Sequence, residues 1–321
     1  MQSDKVLVTG GAGFIGSHVV TKLLEKGYNN IIIIDNLSNG SEDKIAQYRN
    51  NGNNERVTFY NIDIKDKDTI SHVFDHHTIV SCIHLAAKIS VADSITNPEE
   101  TMNVNVTGTQ NILETCSNHN VESFVFASSA AVYGDCKVLP ISENNNLEPL
   151  SPYGASKAKA ERLVSSYNNS KIRNAISLRF FNVYGAGQTL EYAGVITRFA
   201  ERLHRKLPPI VYGDGTQTRD FIGVDDVVNA ILLCIGAGTE NRRADSLHEV
   251  YNVGTGKPTM IKYLAEIMTR TSGLNLEPEF VESRIGDIKH SYADVTRIKR
   301  DFQFVVTNSL ESYVNEMIAQ A

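Results

Sequence analysis

No Cys-x-x-Cys pair occurs in these 321 residues, and the four cysteines, Cys82, Cys116, Cys136 and Cys234, are widely scattered. That spacing suggests neither a zinc site nor a disulfide framework, so reduced cytosolic thiols and no bound metal are expected. No apolar run approaches membrane-spanning length, and Met1-Gln2-Ser3-Asp4 leads straight into a strand-like segment with no secretory leader visible. The Asn-x-Ser/Thr sequons at Asn36, Asn105 and Asn168 then mean little, and a cytoplasmic protein with no membrane partner is expected. Positive charge is not in surplus either. The 31 Lys and Arg face 37 Asp and Glu, a net charge of −6, which argues against nucleic acid as a general partner and leaves small anions to local arginines. Linkers, repeats and low-complexity segments are also missing, and only Gly236 to Arg243 reads as a mobile surface loop.

What is present is an ordinary globular composition, 41% hydrophobic and 21% charged, long enough for a large α/β core with a smaller second lobe. The apolar run Lys5 to Thr9 feeds Gly10-Gly11-Ala12-Gly13-Phe14-Ile15-Gly16 and then a helical pattern through Leu23 and Leu24. Glycines here permit a tight turn and let a phosphate approach backbone N–H groups at a helix N-terminus. The spacing is Gly-x-x-Gly-x-x-Gly, not the commoner Gly-x-Gly-x-x-Gly. A second apolar strand, Ile31 to Ile34, ends in Asp35, 19 residues after Gly16. A carboxylate there is placed to accept from a ribose 2′-OH and would repel a 2′-phosphate, so NAD is expected over NADP.

The βα rhythm continues through Val57–Asn61, Asp63 in a loop, Ile79–His84 with Leu85-Ala86-Ala87 after it, a long helix from about Pro98 to His119, and Ser123–Ala127. Strands apolar throughout and alternating with helices predict a doubly wound parallel sheet covered on both faces. His84 reads as a hydrogen-bonded histidine at a strand end. Ser128 and Ser129 follow the fifth strand at its carboxyl end, where open parallel sheets carry their sites.

Three Tyr-x-x-x-Lys spacings occur, at Tyr133/Lys137, Tyr153/Lys157 and Tyr167/Lys171. The first runs through Gly134-Asp135, a turn, and the third through Asn168-Asn169-Ser170, a helix end. Tyr153 instead follows Ser151-Pro152, a helix start, and precedes the helix formers Ala155 to Leu163, so it and Lys157 share one face a turn apart. An ammonium about 4 Å from a phenol, at an effective dielectric near 20, favours the phenolate by on the order of 4 kcal/mol, or up to about three pKa units. Desolvation opposes this. A general base near neutral pH is the expectation for Tyr153.

Together these residues resemble the extended short-chain dehydrogenase/reductase family, specifically its nucleotide-sugar branch, over essentially the whole chain. The motifs are Gly10/Gly13/Gly16, Asp35 to Gly40, Asp63-Ile64, Leu85-Ala86-Ala87, Asn105, Ser129, Tyr153 with Lys157, and Arg179 to Gly185. The resemblance implies a Rossmann domain over 1–181, with segments near 223–255 packing back onto it, and a nucleotide-sugar lobe mainly in 182–321. It implies NAD held by Gly10, Gly13, Phe14, Ile15, Gly16, Asp35, Asn36, Asn39, Gly40, Asp63, Ile64, Leu85, Ala86, Ala87, Asn105, Ser128, Tyr153, Lys157 and Phe180. Ser129 would bond the sugar hydroxyl being oxidised, Tyr153 would remove its proton, and Lys157 would hold the nicotinamide ribose. On the substrate side it implies Ser90, Ser129, Tyr153, Asn182, Val195, Phe199, Tyr212, Arg219, Arg284, Asp287 and Ser291, with the two arginines on the diphosphate and nearby ribose.

Relatives that act as 4,6-dehydratases carry Asp-Glu directly after the catalytic hydroxyl, where this chain has Ala130 and Ala131. Alanine moves no protons, so the resemblance points to 4-epimerisation of a UDP-hexose. A dehydratase, another sugar-nucleotide oxidoreductase and a catalytically silent NAD-binding scaffold remain as alternatives. In similar epimerases a tyrosine at the position of Ser291 crowds an N-acetyl group, and serine admits it; Tyr292 is one residue on. Two departures stand out: Ile285 replaces a proline in the arginine motif, and Ile89 stands where some hexose-specific relatives keep a lysine. Helices near 98–119 and 152–168 resemble those through which the family pairs as a homodimer.

Overall fold

In the computed structural model, residues 5–50, 55–168, 170–188, 194–236, 249–283 and 286–319 are described. Arg284, Ile285 and the expected loop from 237 onward lie outside them. Seven strands form one parallel sheet: β1 (Lys5–Thr9), β2 (Ile31–Asp35), β3 (Val57–Asn61), β4 (Ile79–His84), β5 (Ser123–Ser129), β6 (Asn174–Phe180) and β7 (Val250–Val253). Their order, β7-β6-β5-β4-β1-β2-β3, reverses direction between β1 and β4, the switch point where ligands of such sheets bind. Register is set by apolar residues: Leu7 faces Ile32 on one side and Cys82 on the other, and Cys82 faces Phe124. All five residues of β2 and all seven of β6 are buried, as a sheet covered on both faces requires.

The segment expected as one helix over 98–119 is Pro98–Met102, a wider π turn at Asn103–Gly108, and Thr109–Asn118. The extra residue in that turn has two local partners. A Cβ on Gly108 would lie 2.6 Å from Ile64 Cδ1, and the Asn105 side chain is drawn onto the backbone of Lys88. Single π turns of this kind cluster at functional sites.

Residues cluster into two compact units. The first holds Met1–Val132, Ser151–Arg179 and Val228–Tyr251. Its apolar core packs Leu7, Ile32, Ile34, Phe74, Leu113 and Phe124 between sheet and helices.

The second unit holds Tyr133–Leu150, Phe180–Val227 and Asn252–Ala321. The sequence places a boundary near 181 with segments near 223–255 returning to the first unit; in this grouping Tyr133–Leu150 also joins the later residues. The bonds responsible run from Ile141 N to Tyr292 O at 2.9 Å, from Asp294 N to Ile141 O at 2.8 Å, and from the Tyr133 hydroxyl to Asn252 Oδ1 at 2.6 Å. Within this unit, Thr218–Arg219 lies between Thr259–Met260 and His290–Ser291. Helices Val195–His204, Ile261–Thr271 and Leu310–Ala319 share a core around Phe199, Leu264 and Met268. The buried Asp220 carboxylate accepts from Thr255 N and Oγ1, Gly256 N and Ala293 N, fixing two loops at once.

Candidate active site

The turn after β1 is built around close backbone approaches. Gly10 has φ +71°, and a Cβ there would sit 2.7 Å from Ala86 N; a Cβ on Gly16 would overlap the Gly10 carbonyl oxygen. The helix Phe14–Glu25 starts at Gly13 with no side-chain cap, so its first N–H groups point toward the turn as a phosphate cradle would. Asp35 is buried at the end of β2, where its carboxylate accepts from Ala12 N at 3.0 Å and Leu37 N at 2.8 Å. Burial pushes its carboxyl above the usual range, and those two N–H groups and Lys44 offset part of the rise. Next to it Asn36 donates to Asp63 Oδ2 at 3.2 Å, and Gly40 packs on Ala12. The arrangement fits a dinucleotide: a glycine-rich turn at a helix start, with a carboxylate on the adjacent strand end.

His84 is fully buried. The Thr9 hydroxyl donates to its Nδ1 at 2.6 Å, its Nε2–H donates to Thr109 Oγ1 at 3.0 Å, and the Thr109 hydroxyl donates to Asn105 O at 2.7 Å, an assignment that uses each proton once. Burial, reinforced by nearby Lys157, lowers its pKa to about 3, so the ring is neutral. The Asn105 amide then donates to Lys88 O and Ser156 Oγ, both at 2.9 Å, while its oxygen accepts from Lys88 N at 2.7 Å. Both amide hydrogens are thus spent on the protein, and Asn105 clamps the loop after β4 to the helix that carries Ser156 and Tyr153.

That helix, Pro152–Tyr167, begins as its sequence indicates: Ser151 Oγ accepts from Gly154 N at 3.1 Å and Pro152 takes the first position. Tyr153, Lys157 and Ser129 belong to the same unit. A hydrogen bond from Ser129 favours the Tyr153 phenolate, but burial of the hydroxyl outweighs it and pushes the phenol above its ordinary value. This reverses the depression expected from the Tyr/Lys spacing. Lys157 does not offset the rise: its buried Nζ donates to Ala127 O at 2.8 Å over the Phe126 ring, and burial lowers its pKa to about 7.

Ser128 donates to the Glu161 carboxylate, which also takes Arg179 Nε at 2.9 Å and Nη2 at 2.7 Å. The sequence reading gave Ser128 to NAD, whereas its hydroxyl is taken by Glu161 here, and it assigned no role to Glu161 or to its pairing with Arg179. One signal was available: Glu161 is four residues after Lys157 and so shares its face.

In the second unit Arg219 is mostly buried, donates to Asp287 at 2.6 Å and lies beside Ser291 across a parallel strand pair. Ser291 is buried and Asn182 exposed. Val195 and Tyr212 are partly exposed, and Tyr212 accepts at its carbonyl from Gln217. Phe199 belongs to the apolar core, which leaves it no face for a ligand. Ser90 caps the helix Val91–Thr96 by accepting from Asp93 N. Among the described residues no His, Cys, Asp and Glu cluster could hold a metal ion, and no helix is long and apolar enough to cross a membrane.

The model of the GDP-mannose 4,6 dehydratase family matches residues 7–317. A Methanocaldococcus jannaschii protein with the provisional name UDP-glucose 4-epimerase is 39% identical over 294 residues, 91% of this chain and 90% of its own. Among solved structures, UDP-N-acetylglucosamine 4-epimerase from Methanobrevibacter ruminantium, in complex with UDP-N-acetylmuramic acid, superposes with a TM-score of 0.87 at 34% identity, covering 99% of this chain and 98% of that one. Thermus thermophilus UDP-glucose 4-epimerase in complex with NAD superposes with a TM-score of 0.84 at 32% identity, covering 98% of each.

Proposed function

Because the chain belongs to the GDP-mannose 4,6-dehydratase family of extended short-chain dehydrogenases/reductases, we propose that it inverts C4 of a UDP-hexose through a transient 4-keto sugar. The observation that carries this reading is Ser129 in the same unit as Tyr153, near enough to favour its phenolate, and followed by Ala130-Ala131. A site that can take a proton from a sugar hydroxyl, and has no acid or base beside it to expel water, suits epimerisation better than dehydration.

NAD is the cofactor that the glycine turn and Asp35 suit, and when bound it would supply the hydride acceptor at C4 and a cationic ring that favours the phenolate. With that cationic ring offsetting the burial of its hydroxyl, Tyr153 would act as the phenolate, taking the proton of the 4-OH as the ketone forms and returning it to the oxygen when C4 is reduced from its other face. Ser129 orients that oxygen. Lys157 lends its ammonium to the phenolate. Atoms and electrons balance over the cycle, so no cofactor is consumed.

Arg219 and Arg284 are assigned the diphosphate and ribose, as guanidinium forks suit phosphate oxygens. Ser291, in place of a tyrosine, leaves room for an N-acetyl group, so UDP-glucose/galactose and UDP-GlcNAc/GalNAc are both proposed substrates. A cytoplasmic homodimer, paired through the helical segments 98–118 and 152–167, completes the proposal.

The test is to incubate the protein with UDP-glucose and, separately, UDP-GlcNAc, adding no cofactor, and to resolve the products. UDP-galactose or UDP-GalNAc without net NADH supports the reading. A 4-keto-6-deoxy product, or no conversion even with added NAD, overturns it.

A further inference from the structure

Lys157 and Glu161 stand one turn apart on the buried face of the helix Pro152–Tyr167, yet Lys157 Nζ donates to Ala127 O and not to Glu161. Both Glu161 oxygens are already engaged. Arg179, from β6, donates Nε to one at 2.9 Å and Nη2 to the other at 2.7 Å, and Ser128 adds its hydroxyl. Ala127 and Ser128 are consecutive on β5, so one strand end receives both the lysine and the glutamate. All of these side chains are buried. A carboxylate saturated in this way is a fixed charge and not a competing ligand.

We infer that Glu161 and Arg179 are a positioning pair for the chemistry: the guanidinium holds the carboxylate so that Glu161 lends Lys157 its field without drawing the ammonium off Ala127 O. The inference rests on the reading of Tyr153 and Lys157 as the acid–base machinery. Other groups near Lys157 do not substitute for the pair. Tyr153 and neutral His84 carry no charge at neutral pH, and Phe126 and Ala127 offer only a ring face and a carbonyl. Burial lowers the Lys157 pKa and Glu161 raises it, which sets it near 7. Without Glu161, a buried Arg179 cation would face the lysine instead. Without Arg179, the freed carboxylate would capture Nζ.

These two failures have opposite signs, which a merely structural role would not produce. Lysine labelled with 13C at Cε gives one resonance per side chain, and Lys157 is the one absent from the Lys157→Met variant and titrating far below ordinary lysines. Glu161→Gln is expected to lower its midpoint by about one to two pH units, as for loss of a charge one helical turn away at an effective dielectric near 20, and Arg179→Met to raise it, because the freed carboxylate pairs with Nζ directly. The charge-neutral double variant leaves no unpaired buried ion and is expected to fold even where a single variant does not, with a midpoint below that of the wild type but above that of Glu161→Gln. Ser128→Ala keeps both charges and is expected to leave the midpoint within about half a unit. Shifts of the same sign in both single variants, or no shift in the double, overturn the inference. The titration needs no turnover, so failure of the epimerase reading alone would leave these shifts intact.

Discussion

A lysine with a folded-state pKa near 7 makes the stability of this protein depend on pH in one direction. The unfolded chain holds that lysine near 10.4, so between pH 7 and about 10 the unfolded state binds a proton that the folded state has released. Stability therefore rises with pH across this window by up to about 1.4 kcal/mol per unit from this group alone, because the cost of burying the ammonium is relieved as it deprotonates. Lys157→Met removes the titration and replaces the buried stem with one of similar length. Urea unfolding of both proteins at several values from pH 7.5 to 9.5 isolates the effect, since cysteines, tyrosines and other lysines cancel in the difference. At pH 7.5 the Met variant carries an advantage that shrinks by about 2–3 kcal/mol by pH 9.5. A difference that stays constant within about 0.5 kcal/mol would show that Lys157 titrates normally, and the account of its charge would fail with it.

Tyr153→Phe is expected to keep its fold by circular dichroism while losing turnover by at least about 10²-fold; retained turnover would remove Tyr153 from the chemistry. Gly16→Ala places a methyl on the Gly10 carbonyl oxygen, so NAD affinity measured by calorimetry is expected to fall at least about tenfold. Asn105→Ala strands the Lys88 backbone N–H and C=O and Ser156, and a loss of about 2–4 kcal/mol in urea unfolding is expected; under about 1 kcal/mol would mean that water takes the amide's place. Ser291→Tyr is expected to depress turnover of the N-acetyl sugar selectively, and equal loss on both sugar types would refute the assignment of that position.

Much of the first unit was legible because its signals are local. Apolar runs read as strands, and Ser151-Pro152 read as a helix start, since each is set by neighbours in sequence. His84 was rightly read as hydrogen-bonded, although its partners Thr9 and Thr109 are 75 and 25 residues away. The π turn at Asn103–Gly108 left no periodic trace, because it arises from contacts with Ile64 and Lys88 that only the fold supplies. Burial overturns the expectation for Tyr153: a phenol and an ammonium one turn apart look like a base and its activator, but desolvation acts on both and reverses the shift. Phe199 shows the same limit, since an aromatic in a helix reads alike whether it faces a ligand or a core.

The chain of bonds from Thr9 through His84, Thr109 and Asn105 to Ser156 joins the end of β1 to the helix that carries Tyr153. Ala130 and Ala131 stand outside it, in a short turn that the linkage does not use. None of the bonds of this linkage involves Ala130 or Ala131, which makes those two alanines the positions at which proton-moving side chains would test the outcome of the proposed reaction.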